Sequence, residues 1–135
     1  MNRLPDWRPR LTAHLAELSG SPFAYGSHDC ALFAAGCVAV MTGVDLADKY
    51  RGLYCTLKGG LKLLAQSGFD GPLAIVAARF APIPTAFAQV GDIMVLDVDG
   101  VPAFGIDGGE RIAVLQEHGL AMAPREAAVS AYRVP

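Results

Sequence analysis

Tyr25-Gly-Ser-His-Asp-Cys-Ala-Leu-Phe-Ala-Ala-Gly-Cys-Val-Ala-Val-Met41 joins a turn-forming loop directly to an apolar run, and this junction decides the fold. The loop from Ser21 to His28 is rich in turn formers, and Asp29 is a good N-cap, so a helix is predicted to begin at Cys30. Ala31 to Met41 are apolar on every side, the pattern of a helix buried all round rather than one with a wet face. Thr42-Gly43 ends it. A cysteine in a first helical turn sits beside unpaired N–H groups and the positive end of the macrodipole, which favours the thiolate. The plainer role for such a thiol is to fill space in a buried helix, as Cys37 does two turns later. Tyr25 and His28 lie just before Cys30, where a phenol can donate to an oxyanion and an imidazole can exchange a proton.

Upstream, Asp6 is expected to cap a helix carrying Leu11, Leu15 and Leu18 on one face, with Gly20 as its stop. Downstream, Val44 to Tyr54 reads as a short helix plus loop. Thr56 can cap a further helix with Leu57, Leu61 and Leu64 on one face. Residues 69 to 90 are expected to be irregular, broken by Pro72, Pro82 and Pro84. From Val90 the period changes to that of strands: Ile93 to Leu96, a turn at Asp99-Gly100, Ala103 to Ile106, a turn at Gly108-Gly109, and Ile112 to Leu115. Shorter strands are expected at Leu120 to Ala123 and Val129 to Val134. Helices first and an antiparallel meander second predict an α+β domain with one shared core, spanning 1–135 as a single unit.

The composition agrees and excludes several function classes. Hydrophobic residues make up 53% of the 135 and charged residues 18%, far from the balance of a disordered chain. The net charge of −2 comes with scattered Lys and Arg, so no footprint for a nucleic-acid backbone is present. No apolar stretch is long enough to span a bilayer, and no export signal is visible. Cys30, Cys37 and Cys55 make no CxxC pair, which points to free thiols rather than a zinc site or a disulfide framework. Asp97-Val-Asp-Gly100 lacks the later ligands of a calcium loop, and Gly59-Gly60 lacks the Lys-Ser/Thr of a phosphate loop. No metal or cofactor is expected.

Tyr25-Gly26 followed by Asp29-Cys30-Ala31-Leu32-Phe33 resembles the NlpC/P60 signature, in which a Tyr-containing loop leads into Asp-Cys-Ser-Gly-Phe at the start of the central helix. Gly91-Asp92-Ile93-Met94-Val95 is similar to that family's Gly-Asp-Leu-Val-Phe strand, and Phe104-Gly105-Ile106 to its His-Val-Gly-Ile strand. A closer likeness is to small proteins of phage and prophage tail modules, carried by His28 to Phe33, Thr42 to Asp45 and Arg51 to Tyr54. The resemblance implies a papain-like fold, helices packed on the antiparallel strands. For active relatives it implies cleavage of cell-wall peptide stems by a cysteine nucleophile. It also implies a gap, since Ala103 stands where that family's histidine base opens the second strand. The third polar residue would fall near Val114, with Gln116 the closest polar candidate.

Other histidines are poorly placed as substitutes. His28 precedes the sulfur by two residues, on the opposite side from the family's base. His118, in Gln116-Glu-His-Gly119, fits an exposed hairpin turn, and His14 fits a solvated helix flank. A zinc site from His28, Cys30 and His118 matches no known ligand spacing. Arg51 is expected to be held by Asp45 or Asp48. Two functions follow as expectations. The first is a structural or assembly component of a phage-type tail tip, with other tail proteins as partners. It would be made in a bacterial cytoplasm, carried in the virion, and left with an incomplete catalytic site. The second is a peptidoglycan cysteine endopeptidase or amidase with Cys30 as nucleophile, Tyr25 aiding the oxyanion, His28 or, second, His118 as base, and Asp29, Arg51 and Gln116 as binding positions.

Overall fold

The computed structural model describes residues 1–135. Helix α1 (Trp7–Leu18) buries Leu11 and rests Leu15 and Leu18 on the core. Asp6 occupies its N-cap position without capping; its carboxylate pairs with Arg10 instead, at 2.9 Å. Helix α2 (Cys30–Thr42) begins where the loop chemistry requires. The Leu32 N–H donates to the Asp29 side chain at 2.9 Å, satisfying one of the helix's free donors. Gly43 closes α2 in the left-handed conformation (φ 81°), one that a side chain rarely adopts. No residue of α2 is exposed, and Phe33, Cys37, Val38 and Met41 are sealed in the core.

Two segments differ from expectation. Val44 to Tyr54 holds turns and no helix, because Asp45 caps the Ala47 N–H locally and Gly52 takes φ 74°. Residues 69 to 90 are more ordered than three prolines suggest. After α3 (Leu57–Gln66), capped by Thr56, comes α4 (Pro72–Arg79), with Pro72 in its first turn. A proline there loses no hydrogen bond and arrives with a helical φ, so it starts the helix rather than breaking it. Strand β1 (Ala81–Ile83) follows on a sheet edge, where Pro82 is tolerated.

The remaining strands are β2 (Ile93–Val98), β3 (Val101–Asp107), β4 (Arg111–Gln116), β5 (Gly119–Pro124) and β6 (Ala128–Arg133). Asp99 (φ 52°) and Gly100 (φ 81°) form the two-residue turn between β2 and β3, both in the positive-φ region that such hairpins demand. The sheet order is β1-β6-β2-β3-β4-β5, all antiparallel. The meander therefore covers only β2 to β5, because β6 returns to pair with the free side of β2. Phe33 and Val38 of α2 meet Ile93, Val95, Phe104 and Ile106 on one face. Met94, Leu96, Ile112 and Ala131 close the other.

Buried Asp92 ties the ends of the chain to this sheet. Its carboxylate accepts from the Gln89 and Val134 N–H groups and from Arg3 at 2.9–3.0 Å. Gly91 beside it has φ 92°, and a Cβ there would come within 2.8 Å of both Arg3 and Met41. The Gly91-Asp92 pair is thus a structural clasp. No helix is long and apolar enough to cross a membrane.

Candidate functional site

Cys30 is half-buried at the first position of α2, against β3. Pairing between β3 and β4 begins only at Gly105 and Val114, and the Phe104 backbone lies beside the Cys30 sulfur. Burial pushes the thiol above its ordinary value, Asp29 adds to that, and the N–H groups of Phe104, Ala31 and Cys30 only partly oppose it. The thiolate expected from the helix terminus is therefore not the favoured form. Cys37, sealed in the core, is pushed up by burial to about 12.

The loop before Cys30 is held by one carboxylate. Asp29, 4% exposed, accepts from the Leu32 N–H through one oxygen and from the Gly26 N–H (3.1 Å) and the Tyr54 hydroxyl through the other. Burial and this bond to an anion raise the Tyr54 phenol well above its usual value, so it is a neutral donor. The Gly26 carbonyl in turn accepts from the Gly52 N–H at 2.8 Å. Gly26 has φ 82°, and a Cβ on it would lie 1.7 Å from the Tyr54 carbonyl oxygen, so only glycine lets the two loops meet. Arg51 completes the arrangement. Its guanidinium donates twice to Asp45, at 2.9 and 3.2 Å, and once to the Leu32 carbonyl of α2 at 3.4 Å. Of the two carboxylates expected for Arg51, Asp45 is the one used.

Cys30, Asp29 and Tyr25 all line a cleft of ≈1080 Å³ bounded by α2, α3, α4 and the β2–β3 hairpin, and Ala103 and Phe104 line it too. Tyr25 is 39% exposed and packs edge-on against Phe23, with ring centroids 4.8 Å apart. No histidine, arginine or lysine lines the cleft. His28 is turned instead toward the Arg51 side. Its Nε2 is buried without a partner, and its imidazole is kept neutral by burial and Arg51 against the opposing pull of Asp29. His14 lies in the same region, 3.3 Å from where a Cβ on Gly36 would stand. It is likewise depressed by burial, Arg51 and His28 against the pull of Glu17, so it is not a merely solvated residue. His118 is exposed in the β4–β5 turn, and Gln116 is exposed at the end of β4; neither lines the Cys30 cleft. No group of three or more His, Cys, Asp or Glu is gathered to hold a metal ion.

The structure thus brings Cys30, Asp29 and Tyr25 together, holds Arg51 behind them, and leaves His28, His118 and Gln116 outside. The residue that sequence reading undervalued is Tyr54. The Arg51-Gly-Leu-Tyr54 stretch carries nothing local to show that the Tyr54 hydroxyl reaches Asp29.

A family model described as a domain of unknown function (DUF6950) matches residues 2–134. The chain belongs to that family. No curated protein matches it. Among solved structures, the NlpC/p60 domain of the peptidoglycan hydrolase SagA is similar, with a TM-score of 0.60 and 17% identity over 93% of this chain and 97% of that one. At that identity the likeness is one of fold. The architecture is therefore α+β with the papain-like NlpC/P60 fold, Cys30 opening its central helix.

Proposed function

We infer that this protein is a structural or assembly component of a phage-type tail tip that retains the NlpC/P60-like fold without a working catalytic centre. One observation carries the reading: the cleft holding Cys30 contains no histidine, and the carboxylate beside the sulfur, Asp29, is already engaged by three hydrogen bonds. Cysteine peptidases need such a group twice, to generate the thiolate and to protonate the departing amine. Burial raises the Cys30 thiol above its ordinary value, which argues against a spontaneously ionised nucleophile. The tail assignment itself is supported by the likeness of His28 to Phe33, Thr42 to Asp45 and Arg51 to Tyr54 to tail-module proteins. On this reading the protein is made in the host cytoplasm and its partners are other tail-tip proteins.

The similarity of fold to a domain of a peptidoglycan hydrolase favours a second reading, a cysteine endopeptidase acting on cell-wall peptide. One experiment separates them. Wild type and Cys30→Ala are incubated with purified cell wall and new amino termini are counted, while mature particles and tails from a deletion strain are examined in parallel. The tail reading expects no release, the protein present in particles, and defective tails without it. Release that Cys30→Ala abolishes, or normal tails in its absence, overturns it.

A further inference from the structure

His14 and His28 lie outside the Cys30 cleft and share one feature: the Nε2 of each is buried, and neither has a hydrogen-bond partner. Three elements bring basic groups to this place. Gly36 of α2 has no side chain, and a Cβ on it would stand 3.3 Å from His14 Nε2 and 3.7 Å from an Arg51 guanidinium nitrogen. His14 thus reaches from α1 to the bare backbone of α2, with Arg51 of the following loop beside it. His28 joins them from the loop before α2, close enough for its charge to act on His14 and for that of Arg51 to act on it. The acidic groups that face the cluster are mostly committed. Asp45 is held by Arg51 and Asp29 accepts three hydrogen bonds, which leaves Glu17, exposed on α1.

A proton added to either Nε2 in place would make a cation without an acceptor, out of water and beside Arg51. Such a charge is accommodated only where the ring reaches water, so protonation and opening of this contact are one event. Both imidazoles are accordingly held below their ordinary value, first of all by burial. The mechanical consequence runs to the cleft. Ala24 and His28 close a tight turn by two backbone hydrogen bonds, at 2.9 Å from the Ala24 N–H and 2.8 Å from the His28 N–H. Tyr25 sits within that turn and lines the Cys30 cleft, so a His28 that swings out to water carries Tyr25 with it.

We propose that His14 and His28 form an acid-operated latch, which holds α1 and loop 21–28 against α2 near neutral pH and releases them on acidification, uncovering Cys30. The latch governs access to the cleft and is independent of the tail-tip reading. Labelling with methyl methanethiosulfonate from pH 7.5 to 5.0, followed by mass spectrometry, reads the release. Exposed Cys55 is the internal reference, and Cys37, sealed in the core, reports global unfolding. A histidine of ordinary value near 6.5 that takes its proton only when released favours the released form about 30-fold at pH 5.0. The rate at Cys30 relative to Cys55 should therefore rise about tenfold or more across this range while Cys37 stays unlabelled. His14→Gln with His28→Gln should hold the rise to about twofold or less. In wild type, the Cε1 proton resonances of both rings should titrate below 6.5, in step with the release. A ratio that does not change with pH, or one that still rises about fivefold or more in the double variant, overturns the proposal. So does labelling of Cys37 in step with Cys30, which would make the event global unfolding, and so do ring resonances that titrate at 6.5 or above. The wild-type readings decide the matter if the double variant does not fold.

Discussion

Replacing Asp29 with alanine is the sharpest test of how the start of α2 is held. The carboxylate is buried and accepts three hydrogen bonds, from Leu32, Gly26 and Tyr54. Loss of the N-cap costs about 1 kcal/mol. The Gly26 N–H is left buried without an acceptor, at about 1–3 kcal/mol, and the Tyr54 hydroxyl adds less because that residue borders an open cleft. The sum is roughly 2–5 kcal/mol, a large share of the ~5–15 kcal/mol that stabilises a typical domain. At this chain length it corresponds to a fall in melting temperature on the order of 10 °C. Urea unfolding followed by far-UV circular dichroism measures the loss directly. Tyr54→Phe supplies the internal check. In wild type it removes a bond to a carboxylate and costs about 1–2 kcal/mol, while in Asp29→Ala it removes an orphaned hydroxyl and costs almost nothing. A loss under about 1 kcal/mol for Asp29→Ala, or an equal cost of Tyr54→Phe in both backgrounds, would refute the network's role.

Thiol chemistry and acid stability give two further expectations. Iodoacetamide, followed by mass spectrometry from pH 7 to 10, should label exposed Cys55 first. Cys30 should follow more slowly than free cysteine at neutral pH and accelerate only above the ordinary thiol value of 9.0, while Cys37 should react only on unfolding. Labelling of Cys30 ahead of Cys55 at pH 7 would contradict a buried, protonated sulfur. His14 and His28 both have folded-state values depressed below 6.5, so the folded state disfavours their charged forms. Their stability contribution is fully present above pH 6.5 and is lost as pH falls through the depressed values. The urea midpoint should therefore decline on acidification from pH 7 to 5, and His14→Gln with His28→Gln should flatten that slope; a midpoint that rises toward pH 5 would show the sign to be wrong.

Most of the architecture was legible in the sequence because it depends on local chemistry and short periods. The Asp29 cap, the all-round apolar character of Ala31 to Met41, the Gly43 stop and the Asp99-Gly100 turn are each decided within a few residues, and each is found where expected. Errors arose where one residue has two local meanings. Pro72 suggests a break although a proline is equally at home in a first helical turn, and Asp6 suggests a cap although Arg10 offers its carboxylate a charged partner. The return of β6 to β2 is a long-range pairing that no turn signal announces. At the site, Cys30, Asp29 and Tyr25 come together because the chain itself joins them, whereas Tyr54 reaches Asp29 from 25 residues away. His28 does not line the Cys30 cleft although it is only two residues distant, since proximity in sequence does not set side-chain direction at a turn.

The same geometry gives these residues a structural purpose that needs no chemistry at Cys30. The stretches His28 to Phe33, Thr42 to Asp45 and Arg51 to Tyr54 are tied together beside α2: Asp29 takes the Tyr54 hydroxyl, Asp45 takes Arg51, and Arg51 takes the Leu32 carbonyl. Every one of these contacts orders the backbone around Cys30, and none supplies a proton acceptor to its sulfur. A network of this kind is worth keeping for the fold alone, because each buried polar group in it becomes a penalty when its partner is lost. The Asp-Cys junction therefore anchors the helix in its own right, as the proposed assembly role requires. At the position on β3 where the resemblance to the NlpC/P60 signature implies a base, Ala103 borders the apolar cleft with a methyl group.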